Sequence, residues 1–347
     1  MTELKILENI ELAPLTTFKI GGRARYFCAV DSEEALLSAL NFANERSMPV
    51  FVLGGGSNIL VSDSGFNGLV VQIDLKGIVS RHDGSAEAVT AMAGEHWDSF
   101  VEYCVKRQLA GIECLSGIPG RVGGTPIQNV GAYGQDVSEV IRSVRCLDRS
   151  DHSIVEFANA DCRFSYRKSR FNTTDAGRYV VLTVTYGLRR GGVPSVVYKD
   201  IREHFGSAEP TLEEVRNAVI DIRRAKSMVA DDSDVNSNSA GSFFKNPVIA
   251  RAKFDELADT YADVPHYPAD GSDIKIPAAW LIEQAGFHKG FRKGSAGISA
   301  KHTLALVNCG GASAADIIGL KDDIQAAVLA KFDIDLIVEP IFVGFDE

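Results

Sequence analysis

Positive charge is in deficit. The 347 residues carry 36 Lys and Arg against 46 Asp and Glu, for a formal charge of -10. Phosphate backbones are held by basic surfaces, so this balance excludes a general nucleic-acid-binding role, although it permits a local basic pocket for a small phosphorylated ligand. Long apolar runs are missing as well. None approaches the roughly 20 residues that span a bilayer, and the opening MTELKILENIELAPL has neither the basic n-region nor the apolar stretch of a secretion signal. The expected location is therefore the cytoplasm, with no membrane insertion. The six cysteines (Cys28, Cys104, Cys114, Cys146, Cys162 and Cys309) are dispersed without a C-x-x-C, which disfavours a disulfide framework or a metal cluster. No H-E-x-x-H pair occurs among the seven histidines, so no metal is expected. Two nucleotide fingerprints are also lacking: the G-x-x-x-x-G-K-[ST] loop, and a G-x-G-x-x-G that opens a helix.

What is present is a foldable chain. Its 45% hydrophobic content supports packed cores, and its length allows two or three domains. Residues 1–70 alternate strand and helix signals. ARYFCAV (24–30) reads as a strand. Asp31, with Glu34 three residues on, reads as a capping box opening a helix whose apolar side is Leu36, Leu37, Leu40 and Ala43. PVFVLGGG then reads as a strand ending in glycines. From GLVVQIDL to RYVVLTVTYGL the pattern is strand-rich and suggests a second, mainly antiparallel lobe. One helix interrupts it, HWDSFVEYCVKRQLAG, with Gly111 as its expected stop. Thr211 and Glu214 form a second capping box. SMVADDSDVNSN reads as a boundary loop. PAAWLIEQAGF and SAADIIGLKDDIQAAVLAKF read as helices, the second with Ile317, Leu320, Ile324 and Val328 on one face. HTLALVNC and DLIVEPIFVGF read as strands.

Several stretches carry chemistry. LGGGSNIL follows an apolar strand with three glycines, which is either a tight turn or a cradle of bare amides for a phosphate, with Ser57 and Asn58 beside it. GIECLSGIPGRVGGTPIQNVGAYGQDV is too glycine-rich for simple sheet connectivity. Its polar Ser116, Thr125, Gln128 and Asn129 suit a heterocycle or diphosphate, and its recurrent apolar residues speak against a floppy loop. TTFKIGGRARY adds another glycine turn, with Arg23 as an anion partner. In CRFSYRKSRF, Arg167 beside Tyr166 can hold a carboxylate in a bidentate manner, or be a half-exposed strand residue. Glu339, in LIVEPIFVG, is either an edge glutamate facing water or an acid whose pKa is raised by its surroundings. In NSNSAGSFFKNP, Ser242 is either a turn residue or a reactive hydroxyl.

TFKIGGRA, LGGGSNILVSD, SGIPGRVGGTPIQNVGAYG, YRKSRF, AGSFFKNP and VEP occur in that order from residue 17 to residue 340. Together they resemble the UDP-N-acetylenolpyruvoylglucosamine reductase family, flavoenzymes of peptidoglycan precursor synthesis, in its longer type with a substrate-covering tyrosine. The resemblance implies an α+β fold. A two-lobed FAD-binding domain of the vanillyl-alcohol-oxidase type (lobes 1–70 and 71–225) would precede a C-terminal α+β substrate-binding domain (226–347). It implies non-covalent FAD, NADPH as co-substrate, and a UDP-sugar enolpyruvyl ether as the molecule reduced. FAD would be held by Gly21 and Gly22; by Gly54, Gly55, Gly56, Ser57 and Asn58; by Ser116, Gly117, Ile118, Pro119, Gly120, Gly123, Gly124 and Thr125; and by Gln128, Asn129, Gly131 and Ala132.

Carried over residue by residue, the resemblance makes Arg167 and Glu339 the stabilisers of charge on the substrate carboxylate. It makes Ser242 the proton donor, polarised by Lys245 and Asn246. Tyr166, Tyr198, Lys226, Asn246, Tyr267 and Gln284 are the implied substrate contacts. Two positions depart from the family pattern: Lys168 stands where an aspartate is frequent, and Thr16 where an asparagine is usual. Two other readings compete, an oxidase on the same flavin fold and a nucleotide-sugar-binding regulator without turnover. The sequence leaves oligomeric state open; a monomer is compatible with it.

Overall fold

The computed structural model describes residues 4–84, 86–269 and 271–345. In chain order its elements are β1 (Leu7–Glu11), β2 (Arg23–Val30), α1 (Glu33–Glu45), β3 (Val50–Leu53), β4 (Ile59–Val61) and β5 (Phe66–Ile73). Next come β6 (Ile78–Asp83), β7 (Ala86–Met92), α2 (Trp97–Lys106), β8 (Leu109–Ala110), β9 (Gly131–Ala132) and β10 (Gln135–Asp136). These are followed by β11 (Ile141–Asp148), β12 (Ile154–Ala158), β13 (Tyr179–Arg190), α3 (Lys199–Phe205) and α4 (Leu212–Ala225). The remainder holds β14 (Val248–Ile249), α5 (Arg251–Thr260), β15 (Tyr267–Pro268), β16 (Ile274–Lys275) and α6 (Ala278–Gln284). β17 (Arg292–Lys293), β18 (Ala296–Ile298), β19 (Leu306–Asn308), α7 (Ala314–Phe332) and β20 (Ile341–Val343) end the chain.

The chain divides into two compact units, each assembled from separated segments. The first takes residues 4–10, 23–56 and 66–229, and the second takes 11–22, 57–65 and 230–345. In the first unit a four-stranded sheet has the order β1-β2-β5-β3, with β5 parallel to both β2 and β3. GLVVQIDL is thus the inner strand of this sheet rather than the start of the antiparallel lobe. Its residues Leu69, Val70 and Val71 are fully buried, as suits a strand covered on both faces. The antiparallel lobe is a sheet of order β12-β11-β13-β7-β6. Arg145 on β11 grips Glu33 on α1 through both guanidinium nitrogens, at 2.5 and 2.9 Å, and so ties the antiparallel sheet to that helix. Trp97, Phe100 and Tyr186 stack against one another in its core. Burial of such side chains contributes about 1.5–3 kcal/mol each.

Three helix ends differ from the sequence expectation or refine it. The N-cap of α1 is Ser32, whose hydroxyl accepts from Ala35 N at 3.2 Å; Asp31 is one residue too early to cap a helix that begins at Glu33. α2 stops at Lys106 instead of running to Gly111, because Leu109 and Ala110 pair with β13. α4 has the expected capping box between Thr211 and Glu214, and α7 has one of its own between Ser313 and Asp316.

The second unit is built around Phe18, Ile20, Leu60, Phe243, Phe244 and the buried face of α7, including Ile317, Leu320, Ile324 and Val328. Its early segments are strapped in place. β4 pairs with β20 in parallel. The Asp63 carboxylate accepts from Ala314 N at 2.7 Å and Ala315 N at 3.1 Å, at the N-terminus of α7, where an anion is favoured by the exposed amides. Thr16, in the position of the usual asparagine, is buried, and its hydroxyl donates to Ala13 O at 3.1 Å. HTLALVNC forms a strand only from Leu306; His302 to Ala305 are a turn closed by Ala305 N donating to His302 O at 3.1 Å.

Candidate active site

In the first unit the glycine turns meet. Gly55 packs so close to Gly120 that a Cβ on it would lie 2.6 Å from the Gly120 Cα, so the LGGG and SGIPG backbones approach as only glycines allow. The SGIPG segment is pinned from several sides. Asp98 accepts from Gly117 N at 2.6 Å and takes both nitrogens of the buried Arg216 at 2.7 and 2.8 Å. Burial pushes the Asp98 carboxyl up, but the hydrogen bonds from Arg216 and Gly117 and the Arg216 charge outweigh it and hold the group below the usual carboxylate range. Trp97 N donates to Gly120 O at 3.1 Å. Arg121 donates to Asp74 at 2.6 Å and to Gly94 O at 2.8 Å. The fully buried Glu113 accepts from Gly111 N at 2.7 Å, Gln135 at 2.9 Å and Ser195 N at 2.9 Å. This web gives the segment one conformation despite its glycines.

The web also redefines what the polar residues of the segment offer. Ser116 donates its hydroxyl to Glu113 O at 2.6 Å, and Thr125 donates to Val122 O at 2.8 Å. The Asn129 amide accepts from Ser138 N and donates to Ser165 O, both at 3.1 Å. These side chains hold the loop, and so do several of its backbone amides, among them Gly123 N donating to Ala93 O and Gly124 N to Arg121 O. Ile118, Pro119, Gln128 and Ala132 are half-buried along the same segment, while Gly54 and Gly124 would point a Cβ into open space. A buried donor also stands unsatisfied. Arg223 is 6% exposed, its Nη2 donates to Met228 O at 2.7 Å, and its Nε, beside Gly117, has no hydrogen-bond partner among the described residues. Open glycine faces and the unsatisfied guanidinium nitrogen together fit an electron-rich group such as FAD.

Arg167 sits in the same unit, at the left-handed position (φ 55) of a turn in which Ser165 and Lys168 exchange backbone hydrogen bonds. Its guanidinium donates to Asn129 O at 3.3 Å and Gly131 O at 2.5 Å, stands 3.6 Å from Asp136, and lies over the Tyr166 ring. Asp136 is therefore a carboxylate beside this arginine in a chain where Lys168 follows it in sequence. Tyr198 and Lys226 are brought together by residues the sequence reading missed. Tyr133 stacks edge-on against Tyr198 at 5.3 Å and underlies the Lys226 ammonium, which donates to Asp200 at 2.7 Å. Burial pulls Lys226 down, but Asp200 outweighs it and keeps the ammonium above its ordinary pKa.

In the second unit, SFFK runs between two other segments. Phe243 N donates to Leu304 O at 2.7 Å, while Glu339 N donates to Phe243 O and Lys245 N to Ile337 O, both at 2.9 Å. Ser242 and Glu339 are thus carried on bonded segments nearly a hundred residues apart in sequence. Asn58 joins them: its side chain donates to Glu339 O at 3.2 Å, and its carbonyl accepts from Ile341 N at 3.0 Å. Gly21, Gly22 and Ser57 belong to this unit too, and Gly22 N donates to Ser62 O at 2.8 Å. The Ser242 hydroxyl lies 3.4 Å from His302 Nε2. His302 was not singled out from sequence; the local signal was a histidine opening an apparent strand. Asn246 caps α6 by accepting from Ala278 N at 2.9 Å. Tyr267 is half exposed on β15, with the Lys275 ammonium near its ring. Gln284 is exposed at the last turn of α6, and its carbonyl accepts from Lys331.

Comparison with known proteins agrees along the whole chain. Residues 233–343 match the family model described as UDP-N-acetylenolpyruvoylglucosamine reductase, C-terminal domain, and residues 24–158 match an FAD binding domain. The chain is 42% identical to the UDP-N-acetylenolpyruvoylglucosamine reductase of Thermobifida fusca, covering 97% of each protein. It is 40% identical to that of Neisseria meningitidis serogroup C, covering 95% of each. Its fold matches the crystal structure of the Thermus caldophilus reductase with a TM-score of 0.68 at 24% identity, over 98% of this chain and 99% of that one. An FAD-binding domain, a reductase C-terminal domain and identity above 40% from end to end establish that this chain belongs to the UDP-N-acetylenolpyruvoylglucosamine reductase family.

Proposed function

We propose that this chain catalyses the NADPH-dependent reduction of UDP-N-acetylglucosamine enolpyruvate to UDP-N-acetylmuramate, with FAD as resident cofactor. It would act in the cytoplasmic stage of peptidoglycan precursor synthesis, where both nucleotide substrates are dissolved. End-to-end identity with the reductases carries the reading. FAD, when bound, relays two electrons from NADPH to the enolpyruvyl double bond. Gly54, Gly55, Gly56, the 116–125 segment and the 128–132 segment would hold it, as would Gly21, Gly22, Ser57 and Asn58. The lobes 1–70 and 71–225 would carry the cofactor together with the substrate contacts Tyr166, Arg167 and Tyr198, and residues from 226 on would carry the remaining substrate contacts; 11–22 and 57–65 belong to the second unit.

The remaining steps belong to the side chains. Reduction of the conjugated double bond drives negative charge onto the substrate carboxylate. Arg167, fixed by two carbonyls, offers a planar cationic fork for that charge. A protonated Glu339 would donate a hydrogen bond to it. Ser242 then gives its proton to the α-carbon. The diphosphate is assigned to Tyr198 and to Lys226, whose ammonium is kept charged by Asp200. Tyr166, Asn246 and Gln284 are assigned to the rest of the substrate, and Tyr267 to closing over it.

The purified protein should be yellow and bleach with NADPH under anaerobic conditions, and the enolpyruvyl sugar should restore the colour. Bleaching without recovery refutes the reductase reading. Ser242→Ala should leave bleaching within about twofold and slow recovery by about 10²–10⁴. Equal losses in both half-reactions would make Ser242 structural.

A further inference from the structure

An aliphatic hydroxyl is a far weaker acid than the groups enzymes commonly use to protonate carbon. If Ser242 gave up its proton unaided, an alkoxide would be left in a half-buried site. Lys245 and Asn246 follow Ser242 closely in sequence, but the Asn246 oxygen is engaged by α6, and the Lys245 amide is bonded to Ile337 O. The side chain that the fold delivers to the Ser242 hydroxyl is His302, at 3.4 Å through Nε2. That contact is set by backbone. The turn holding His302 is closed by Ala305 N, and its Leu304 carbonyl takes Phe243 N at 2.7 Å, the amide next to Ser242. Thr303 donates to Glu283 on α6, and Ala300 N donates to Asn236 at 2.9 Å, anchoring both flanks of the turn.

We propose that His302 is the positioning residue behind Ser242, aligning its hydroxyl and replacing the proton it donates. This rests on Ser242 being the proton donor of the proposed reaction. The electron pair on the substrate α-carbon takes the Ser242 proton, so a C–H bond forms as the O–H bond breaks. The Nε2–H of protonated His302 passes to Ser242 Oγ, re-forming O–H and leaving neutral imidazole, which regains a proton from water. No electrons are exchanged in the relay, and no alkoxide accumulates. Imidazole is the side chain whose protonated form is suited to supply that proton near neutrality. A separation of 3.4 Å is long for a hydrogen bond, as catalytic contacts commonly are before substrate closes them.

The charged groups on the surrounding elements are Lys301, paired with Asp234 at 3.0 Å; Glu283, bonded to Thr303; and Lys245 and Glu339 on the segments flanking Ser242. Lys301 and Asp234 offset each other.

The test follows recovery of flavin colour when NADPH-reduced holoenzyme meets the enolpyruvyl UDP-sugar, from pH 5.5 to 9.5. The wild-type rate should fall as pH rises past the histidine range, since neutral imidazole has no second proton to give. His302→Gln, which can still donate a hydrogen bond to the hydroxyl, should be about tenfold slower and lose that slope; His302→Ala should lose the slope and about a hundredfold in rate. Bleaching by NADPH and FAD content should match wild type in both. A wild-type slope in His302→Ala, or equal slowing of both half-reactions, overturns the proposal. If His302→Ala fails to retain FAD, His302→Gln decides alone, and a wild-type slope there is a refutation. Failure of wild-type enzyme to recover colour at any pH would instead refute the reductase reading itself.

Discussion

Gly131 faces Asp136 across the β9–β10 hairpin, and an alanine there has no room. Its Cβ would fall 1.4 Å from Asp136 Oδ1, 2.6 Å from Asp136 Cγ and 3.0 Å from Arg167 Nη1. Asp136 must swing away, and the Gly131 carbonyl, which receives Arg167 Nη2, shifts with the hairpin. The two losses differ in size. The Asp136–Arg167 pair, at 3.6 Å with Asp136 45% exposed, contributes about 0–1 kcal/mol. A hydrogen bond from a charged group to a fixed carbonyl contributes about 1.5–3 kcal/mol. Gly131→Ala should therefore slow the substrate half-reaction about 10- to 100-fold, at 1.4 kcal/mol per decade, while Asp136→Ala alone should stay within about fivefold. Stopped-flow bleaching and recovery would separate the two half-reactions. The double variant Gly131→Ala, Asp136→Ala removes the clash and should regain part of the loss. If Gly131→Ala recovers colour at the wild-type rate, or if the double variant is slower than Gly131→Ala, the steric chain from Gly131 through Asp136 to Arg167 is wrong.

Two further outcomes are expected. Glu339→Gln retains a hydrogen-bond donor and should keep at least tenfold more substrate-half-reaction activity than Glu339→Ala; indistinguishable variants would remove the donor role. Thermal stability should fall below about pH 4. The Asp148 carboxyl is held well below the usual carboxylate range, first by the Arg178 hydrogen bonds and then by Ser150 against the opposing effect of burial. A depressed folded pKa gives stability that is present above the unfolded value, near 3.9, and is lost as pH falls through the folded one. Asp148→Asn should flatten the dependence of Tm on pH between about 4 and 2, and an unchanged slope there would exclude this carboxylate as its source.

Local chemistry made part of this protein legible from sequence. Thr211 and Glu214 cap α4 because the capping box closes within four residues, and the α7 stripe of Ile317, Leu320, Ile324 and Val328 is buried because helical period alone puts it on one face. Expectation failed where a neighbour from elsewhere decided the outcome. β5 was drawn into the parallel sheet between β2 and β3, and Leu109 and Ala110 were taken by β13 before Gly111 could end a helix.

The sequence by itself determined the family, the ordered glycine turns and the presence of Arg167, Ser242 and Glu339, since these depend on residue identity and spacing along the chain. Tertiary structure alone decided that 11–22 and 57–65 pack with the C-terminal region, that Asp136 supports Arg167 across Gly131, and that His302 meets Ser242. Those contacts join residues tens to hundreds of positions apart. Short-range propensity carries no record of them, because the free energy that fixes them comes from burial and pairing realised only when the whole unit closes.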